Sequence, residues 1–179
     1  MRLAFLLAVL ALLPQAGRAQ HGDHATGRPD HAATPYAGFG QRAAAALGAE
    51  EVGDLRAGRG MGFALPAEVN GYPGPLHALE LADRLSLSPM QRAGMEGLVV
   101  AMRSEAIPLG EALIAAERAL DAVFRRGTAT AEEVDRASAE AALARGRVRA
   151  AHLRVHLQAR DVLTAEQRAG YARMRGHSP

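Results

Sequence analysis

Two stretches of this 179-residue chain repeat their apolar residues at helical spacing, with one short break between them, and that pairing leaves few folds open. From Ser88 onward, Met95, Leu98, Val99, Met102, Leu109, Leu113, Ala116, Leu120 and Val123 advance in steps of three and four. Such steps lay one apolar stripe along one face of a helix. Pro108 lies inside the stripe, where its missing N–H and its ring predict a kink rather than an end. Residues 126–130 then break the pattern. Gly127 suits a left-handed helix end, and Thr130 with Glu133 spells a capping box for a second helix. In that helix Val134, Ala141, Val148, Val155 and Val162 recur at heptad spacing, and Ala137, Ala144 and Ala151 fill the alternate steps. This is a narrow seam of small side chains. A short turn between two long helices makes them antiparallel neighbours. The predicted fold is all-α: a long antiparallel helical hairpin, its first arm kinked at Pro108, with short flanking helices.

Folding the hairpin about residue 128 sets a register in which position i faces roughly position 257 − i. Asp121 then faces Arg136, and Glu111 lies near Arg145 and Arg147. His152 faces about Glu105, and His156 faces about Ala101 and Met102. Opposite charges meet, which supports the register. Exposed pairs contribute only about 0–1 kcal/mol each, so they select an alignment more than they stabilise it.

The N-terminus predicts export. Met1 and Arg2 precede an apolar run over residues 3–13, Pro14 ends it, and Gly17 and Ala19 put small residues before Gln20. That is the layout of a cleaved signal peptide over residues 1–19. The run is shorter than the about 20 residues needed to span a bilayer, and no second such run follows, so no stable membrane insertion is expected. The chain has no cysteine, which excludes disulfides and a lipid-anchored cysteine. All 21 basic residues are Arg; without Arg2 and Arg18 the remaining 19 match the 19 acidic residues. The basic pI therefore gives no argument for a nucleic-acid partner.

Residues 20–40 are polar, carry His21, His24 and His31 beside Asp23 and Asp30, and read as a disordered tail that binds metal loosely if at all. Residues 41–75 read as irregular, with short helices at 42–47, 49–57 and 63–69. Gly58, Gly60 and Gly62 form a flexible connector there. No strand precedes these glycines and no Lys-Ser/Thr follows, so they are not a phosphate loop. Residues 70–75 (NGYPGP) form a breaker, and residues 76–85 are expected to be helical.

Two segments flanking the hairpin share a spelling. Leu87-Ser88-Pro89-Met90-Gln91 opens the first arm, and Leu163-Thr164-Ala165-Glu166-Gln167 follows the second. In each, a hydroxyl N-cap satisfies an orphan N–H and a glutamine three residues on reaches back to the cap. Pro89 fits the first helical position. A weaker start at Leu47-Gly48-Ala49-Glu50-Glu51 lacks the hydroxyl. Two L-[ST]-x-x-Q boxes bracketing a helical hairpin resemble the LTXXQ-motif proteins: the Spy/CpxP periplasmic chaperone and stress-regulator group and the related CnrX-type heavy-metal sensors. The resemblance covers roughly residues 76–175.

That resemblance implies a non-enzymatic periplasmic protein. Its chaperone members cradle unfolded clients on a curved, basic and apolar, often dimeric surface; its sensor members bind transition metals between helices. On the first pattern this chain is a holdase-like chaperone or envelope-stress modulator. It would meet unfolded or envelope proteins, or a membrane regulator, through Arg145, Arg147, Arg149 and Arg154, and it would be compatible with a homodimer. Residues 105–140 hold eight acids and four Arg, and residues 141–179 hold eight Arg and two acids, which motivates that surface. Two adjacent helices that neutralise each other give a plainer account of the same charges.

The alternative is a periplasmic metal sensor or resistance accessory. His152 and His156 stand one helical turn apart and can hold one ion. Glu105 and Met102 are their expected neighbours, a donor set that suits Cu, Ni, Co or Zn. His77 and Glu80, also a turn apart, offer a weaker completion. A half-buried His pair bonded to Glu105 or to water is the plainer account. Met61, Met90, Met95 and Met174 are expected to pack or face solvent, not to bind copper. The sequence holds no Gly-x-Ser-x-Gly, no His-Glu-x-x-His and no dinucleotide fingerprint, so nothing marks a catalytic site.

Overall fold

The computed structural model of the protein describes residues 35–177. The expected signal peptide, and residues 20–34 of the expected tail with His21, His24 and His31, lie outside the described residues. The helices are α1 (Ala49–Arg56), α2 (Leu65–Glu68), α3 (Pro75–Glu80), α4 (Pro89–Arg125), α5 (Ala131–Val162) and α6 (Ala165–Arg175). Among the described residues there is no strand beyond one bridge between Ala44 and Leu47. No helix among them is long and apolar enough to cross a membrane.

The hairpin forms as its pattern dictates. Gly127 adopts a φ of 70°, the left-handed conformation that a residue without a β-carbon enters without strain. Thr130 then caps α5: its hydroxyl accepts from the Glu133 N–H at 3.3 Å, and Glu133 accepts from the Thr130 N–H at 3.1 Å. The apolar stripes of α4 and α5 face each other. Met95, Val99, Leu113 and Val123 are buried against Ala137, Ala141, Val148, Ala151, Val155 and Ala159. Each large side chain so buried contributes about 1.5–3 kcal/mol. Pro108 sits on the exposed side of α4, and the helix runs through it unbroken.

The two L-[ST]-x-x-Q boxes close on each other. Ser88 caps α4 and Thr164 caps α6, each with the reciprocal glutamine bond. The Gln91 and Gln167 amides also bond face to face. Gln91 Nε2 donates to Gln167 Oε1 at 2.8 Å, and Gln167 Nε2 donates to Gln91 Oε1 at 3.0 Å. Their second N–H groups reach the Val162 carbonyl, at the end of α5, and the Leu85 carbonyl, in the turn after α3. One pair of side chains thus satisfies two helix starts, one helix end and one turn carbonyl.

Residues 36–86 form a layer over the hairpin that periodicity did not reveal. α1 and α3 pack on α4, and α2 and α3 touch α5. Two apolar clusters result. One joins Leu85, Leu87, Met95, Ala159, Leu163 and Tyr171; the other joins Leu47, Val52, Leu55, Leu113, Ile114 and Val148. At Gly110 an added β-carbon would stand 2.6 Å from the Leu55 carbonyl oxygen, so glycine is what lets α1 approach α4.

This layer corrects several expectations. Residues 42–47 are bends and a bridge, not a helix, and residues 35–40 hold a turn and a 3-10 segment (Phe39–Gln41) instead of tail. Helix α3 stops at Glu80, and turns carry the chain through Ser86, whose φ is 50°. The weak start at Leu47-Gly48 does begin α1, without a side-chain cap. Cross-hairpin charges also pair differently. Glu111 binds Arg56 at 2.9 Å, Asp121 accepts from the Ala45 N–H at 2.7 Å and lies 3.6 Å from Arg125, and Arg145 reaches Glu51 at 3.1 Å and Glu117 at 3.9 Å. The overlying layer brings its own charges to the hairpin and diverts the partners. The Arg154–Glu105 pair keeps the expected register to within two positions.

Candidate functional site

Between the two apolar clusters, where α4 presents Val99, Met102 and Arg103 and α5 presents His152, Val155 and His156, lies a cavity of about 480 Å³. Its third wall is the 54–77 segment, including Met61, Glu68, Gly74 and His77; Arg175 and His177 close the far end.

The two α5 imidazoles are nearly inaccessible, His152 at 3 % and His156 at 6 % exposure. Both are held by the same device. His152 Nδ1 lies 3.0 Å from the Val148 carbonyl of its own helix, and His156 Nδ1 lies 2.9 Å from the Tyr72 carbonyl in the NGYPGP breaker. A carbonyl only accepts, so each Nδ1 carries the proton and each Nε2 keeps its lone pair. His152 Nε2 is buried with no hydrogen-bond partner among the described residues. Burial holds the His156 pKa below its ordinary value, against the opposing pull of the Tyr72 bond and the Glu68 charge. Both α5 rings thus turn Nε2 away from the carbonyl that holds Nδ1, and for His156 burial also favours the neutral ring.

Glu68 builds the wall beside them. Its side chain is buried; Oε1 lies 2.6 Å from His77 Nδ1, and Oε2 accepts from the Tyr171 hydroxyl at 2.7 Å. Tyr171 in turn accepts from the Gly74 N–H at 3.3 Å. Burial alone would raise the Glu68 pKa, but the bonds from His77 and Tyr171 and the nearby imidazoles outweigh it and hold the carboxyl below its usual value. The same burial and the carboxylate drive the Tyr171 pKa upward, so it remains a phenol and a donor. Gly74 leaves room for the site: a β-carbon there would come within 2.7 Å of Glu68 Oε1 and 3.1 Å of His156 Cε1, so the carboxylate would have to shift.

Of the sequence-derived candidates, the structure gathers His152, His156, Met102 and His77 at the cavity. It removes Glu105, which is exposed and paired with Arg154, and Glu80, which is exposed and lines no part of the cavity. Met61, expected to pack or face solvent, packs against the second apolar cluster and also lines the cavity. Glu68, Tyr171 and the Tyr72 carbonyl were missed. α2 spans only Leu65–Glu68, too short to show a period, the breaker at 70–75 was the one visible signal for Glu68 and Tyr72, and Tyr171 lies apart from both in α6. Among the described residues no three His, Asp or Glu side chains gather closely enough to hold a metal ion by themselves. Of the expected client-binding residues, Arg145 and Arg154 are engaged by Glu51, Glu117 and Glu105. Arg147 and Arg149 are exposed, with no carboxylate partner among the described residues.

A long helical hairpin sealed at its open end by two interlocked L-[ST]-x-x-Q boxes defines a helical, motif-capped class of protein. The LTXXQ motif family protein model matches residues 76–174, more than half of the chain, and the chain belongs to that family, which includes Spy/CpxP and CnrX-type proteins and is typically periplasmic. The family's characterised members act as non-enzymatic chaperones or sensors. No curated protein and no solved structure matches this chain.

Proposed function

We propose that this chain is a periplasmic transition-metal-binding protein, a sensor or resistance accessory that takes its ion in the cavity between α4, α5 and the 54–77 segment. The observation that carries this reading is the matched state of His152 and His156. Each donates Nδ1–H to a backbone carbonyl and leaves Nε2 free, one of them buried and unpartnered. Metal-binding imidazoles are oriented in this way, because the carbonyl fixes the tautomer and raises the basicity of the other nitrogen. The donor chemistry fits a transition metal, with His152 and His156 as the nitrogen ligands and Met102 beside them. Titration calorimetry with Cu, Ni, Co and Zn on the wild-type chain and on a His152→Gln, His156→Gln double variant tests it. Binding by the wild type that disappears in the variant is expected; titrations that match would refute the site.

A second reading rests on a different surface. Leu143, Arg147, Ala150, Arg154 and Leu157 follow one stripe of α5, and Leu143 and Leu157 are 56 % and 53 % exposed. An apolar and basic stripe of this kind suits a holdase for unfolded envelope proteins. Undiminished aggregation of a denatured client at an equimolar ratio would end that reading.

A further inference from the structure

The metal reading leaves the kind of ion open, and the cavity narrows it. Resting on that reading, we propose that the site selects a soft monovalent cation, Cu(I) in kind, held by the Nε2 atoms of His152 and His156 and the thioether sulfurs of Met61 and Met102.

The first argument is which donors remain. Both oxygens of Glu68 are engaged, by His77 and Tyr171. Asp54 accepts from Arg59 at 2.6 Å, and Glu105 is drawn away to Arg154. The nitrogen and sulfur donors left at the cavity are the imidazoles of His152, His156 and His177 and two thioethers, while His77 is bonded to Glu68. No third carboxylate or imidazole gathers with the pair among the described residues, so an ion needing several hard ligands finds no complete set. Thioether and imidazole together suit Cu(I), whereas carboxylate-rich sets suit harder ions.

Charge points the same way. Arg59, Arg103 and Arg175 line the cavity with Asp54 and Glu68. The three guanidiniums outnumber the two carboxylates by one, and a divalent ion meets twice the net repulsion that a monovalent ion meets.

The third argument is the backbone of Met61. Within the sequence Gly58-Arg59-Gly60-Met61-Gly62, it is Met61 that stands at φ 44°, a region that favours glycine. Glycine at this position would carry no such strain. The chain instead keeps a thioether there, on a loop that crosses His152: the β-position of Gly60 lies 3.6 Å from His152 Cδ2, the ring atom next to Nε2. Strain of this kind persists where surrounding structure enforces it, and it clusters at ligand sites.

The test uses the whole chain with His21, His24 and His31 changed to Gln, so that imidazoles outside the cavity do not compete. Cu(I) is supplied anaerobically as its bicinchoninate complex, and Zn(II), Ni(II) and Co(II) are titrated separately. One equivalent of Cu(I) should be drawn from the chromophore. Met61→Leu and Met102→Leu should each weaken that binding at least about tenfold, leaving any Zn(II) binding within about threefold. In the unsubstituted cavity, Cu(I) should shift the ε-methyl carbon resonances of Met61 and Met102 and leave those of Met90, Met95 and Met174 in place; this readout holds even if a methionine variant fails to fold. Unmoved Met61 and Met102 methyls, or tighter binding of Zn(II), Ni(II) or Co(II) than of Cu(I), would overturn the inference while the histidine site stood. Absence of binding for all four metals would overturn the site itself.

Discussion

Replacing Gln91 and Gln167 by alanine, singly and together, probes the joint that closes the hairpin. Each side chain makes four hydrogen bonds: one to its own cap N–H, one to a carbonyl beyond the other box, and two to the other glutamine. The last two are common to both residues. A net hydrogen bond contributes about 0.5–1.5 kcal/mol, and the half-exposed setting lets water replace part of it, so each single substitution should cost about 2–3 kcal/mol. Alanine is a good helix former at both positions, so propensity adds little. The double variant loses the two shared bonds once, not twice. It should therefore be less destabilised than the sum of the singles, by about 1–2 kcal/mol. Urea unfolding followed by far-ultraviolet circular dichroism, with the cycle closed at constant slope, measures this coupling. Additivity within about 0.5 kcal/mol would show that the two boxes act as separate caps and that their mutual bonds carry no energy.

Gly110→Ala should destabilise the chain by about 1–3 kcal/mol in the same urea assay, because its methyl meets the Leu55 carbonyl at a contact α1 cannot relieve without moving away. Tyr171→Phe strands the Glu68 oxygen and the Gly74 N–H it joined, and should cost about 1–3 kcal/mol. The metal-free protein should lose stability on acidification. The folded His156 pKa lies below its unfolded value of 6.5, so its contribution is full above that pH and falls as the pH drops toward the folded pKa. Thermal melts in chelator at pH 7.5 and 5.5 should differ less for His156→Gln than for the wild type, and equal shifts would contradict the assignment.

The hairpin, its turn and both capping boxes were legible because each is a local rule written many times. Val148 and Val155 repeat a seam, and Ser88 and Thr164 each signal a helix start three residues before a glutamine. The site was half legible for the same reason. His152 and His156 lie on a long helix whose face is set by its period, so their shared orientation could be read directly. Glu68, Tyr72 and Gly74 lie in short elements that fold only against the hairpin, and no period marks a helix as short as α2. Opposite charge misled where a third layer intervened: Glu111 and Arg145 are complementary, but α1 supplies Arg56 and Glu51 as nearer partners. The place of Met61 at the cavity escaped because it depends on a backbone conformation that sequence does not display.

The buried, unpartnered Nε2 of His152 offers a way to tell the proposed ligand from a packing residue. At 3 % exposure its Nε2 has neither water access nor a protein partner among the described residues. An unmade hydrogen bond of this kind costs about 1–3 kcal/mol. A residue retained only for packing would do better as leucine, which fills similar space without the stranded nitrogen. His152→Leu forfeits the Nδ1 bond to Val148, but that carbonyl still lies within the ladder of α5. The substitution should therefore leave the metal-free protein as stable as the wild type or raise its stability by about 1–2 kcal/mol, while abolishing metal uptake. The wild type should recover the difference once an ion is supplied, since a ligand that binds only the folded state stabilises it by mass action. A marked loss of stability in metal-free His152→Leu would mean that the ring nitrogen is satisfied in the folded chain, and the case for an ion at this place would go with it.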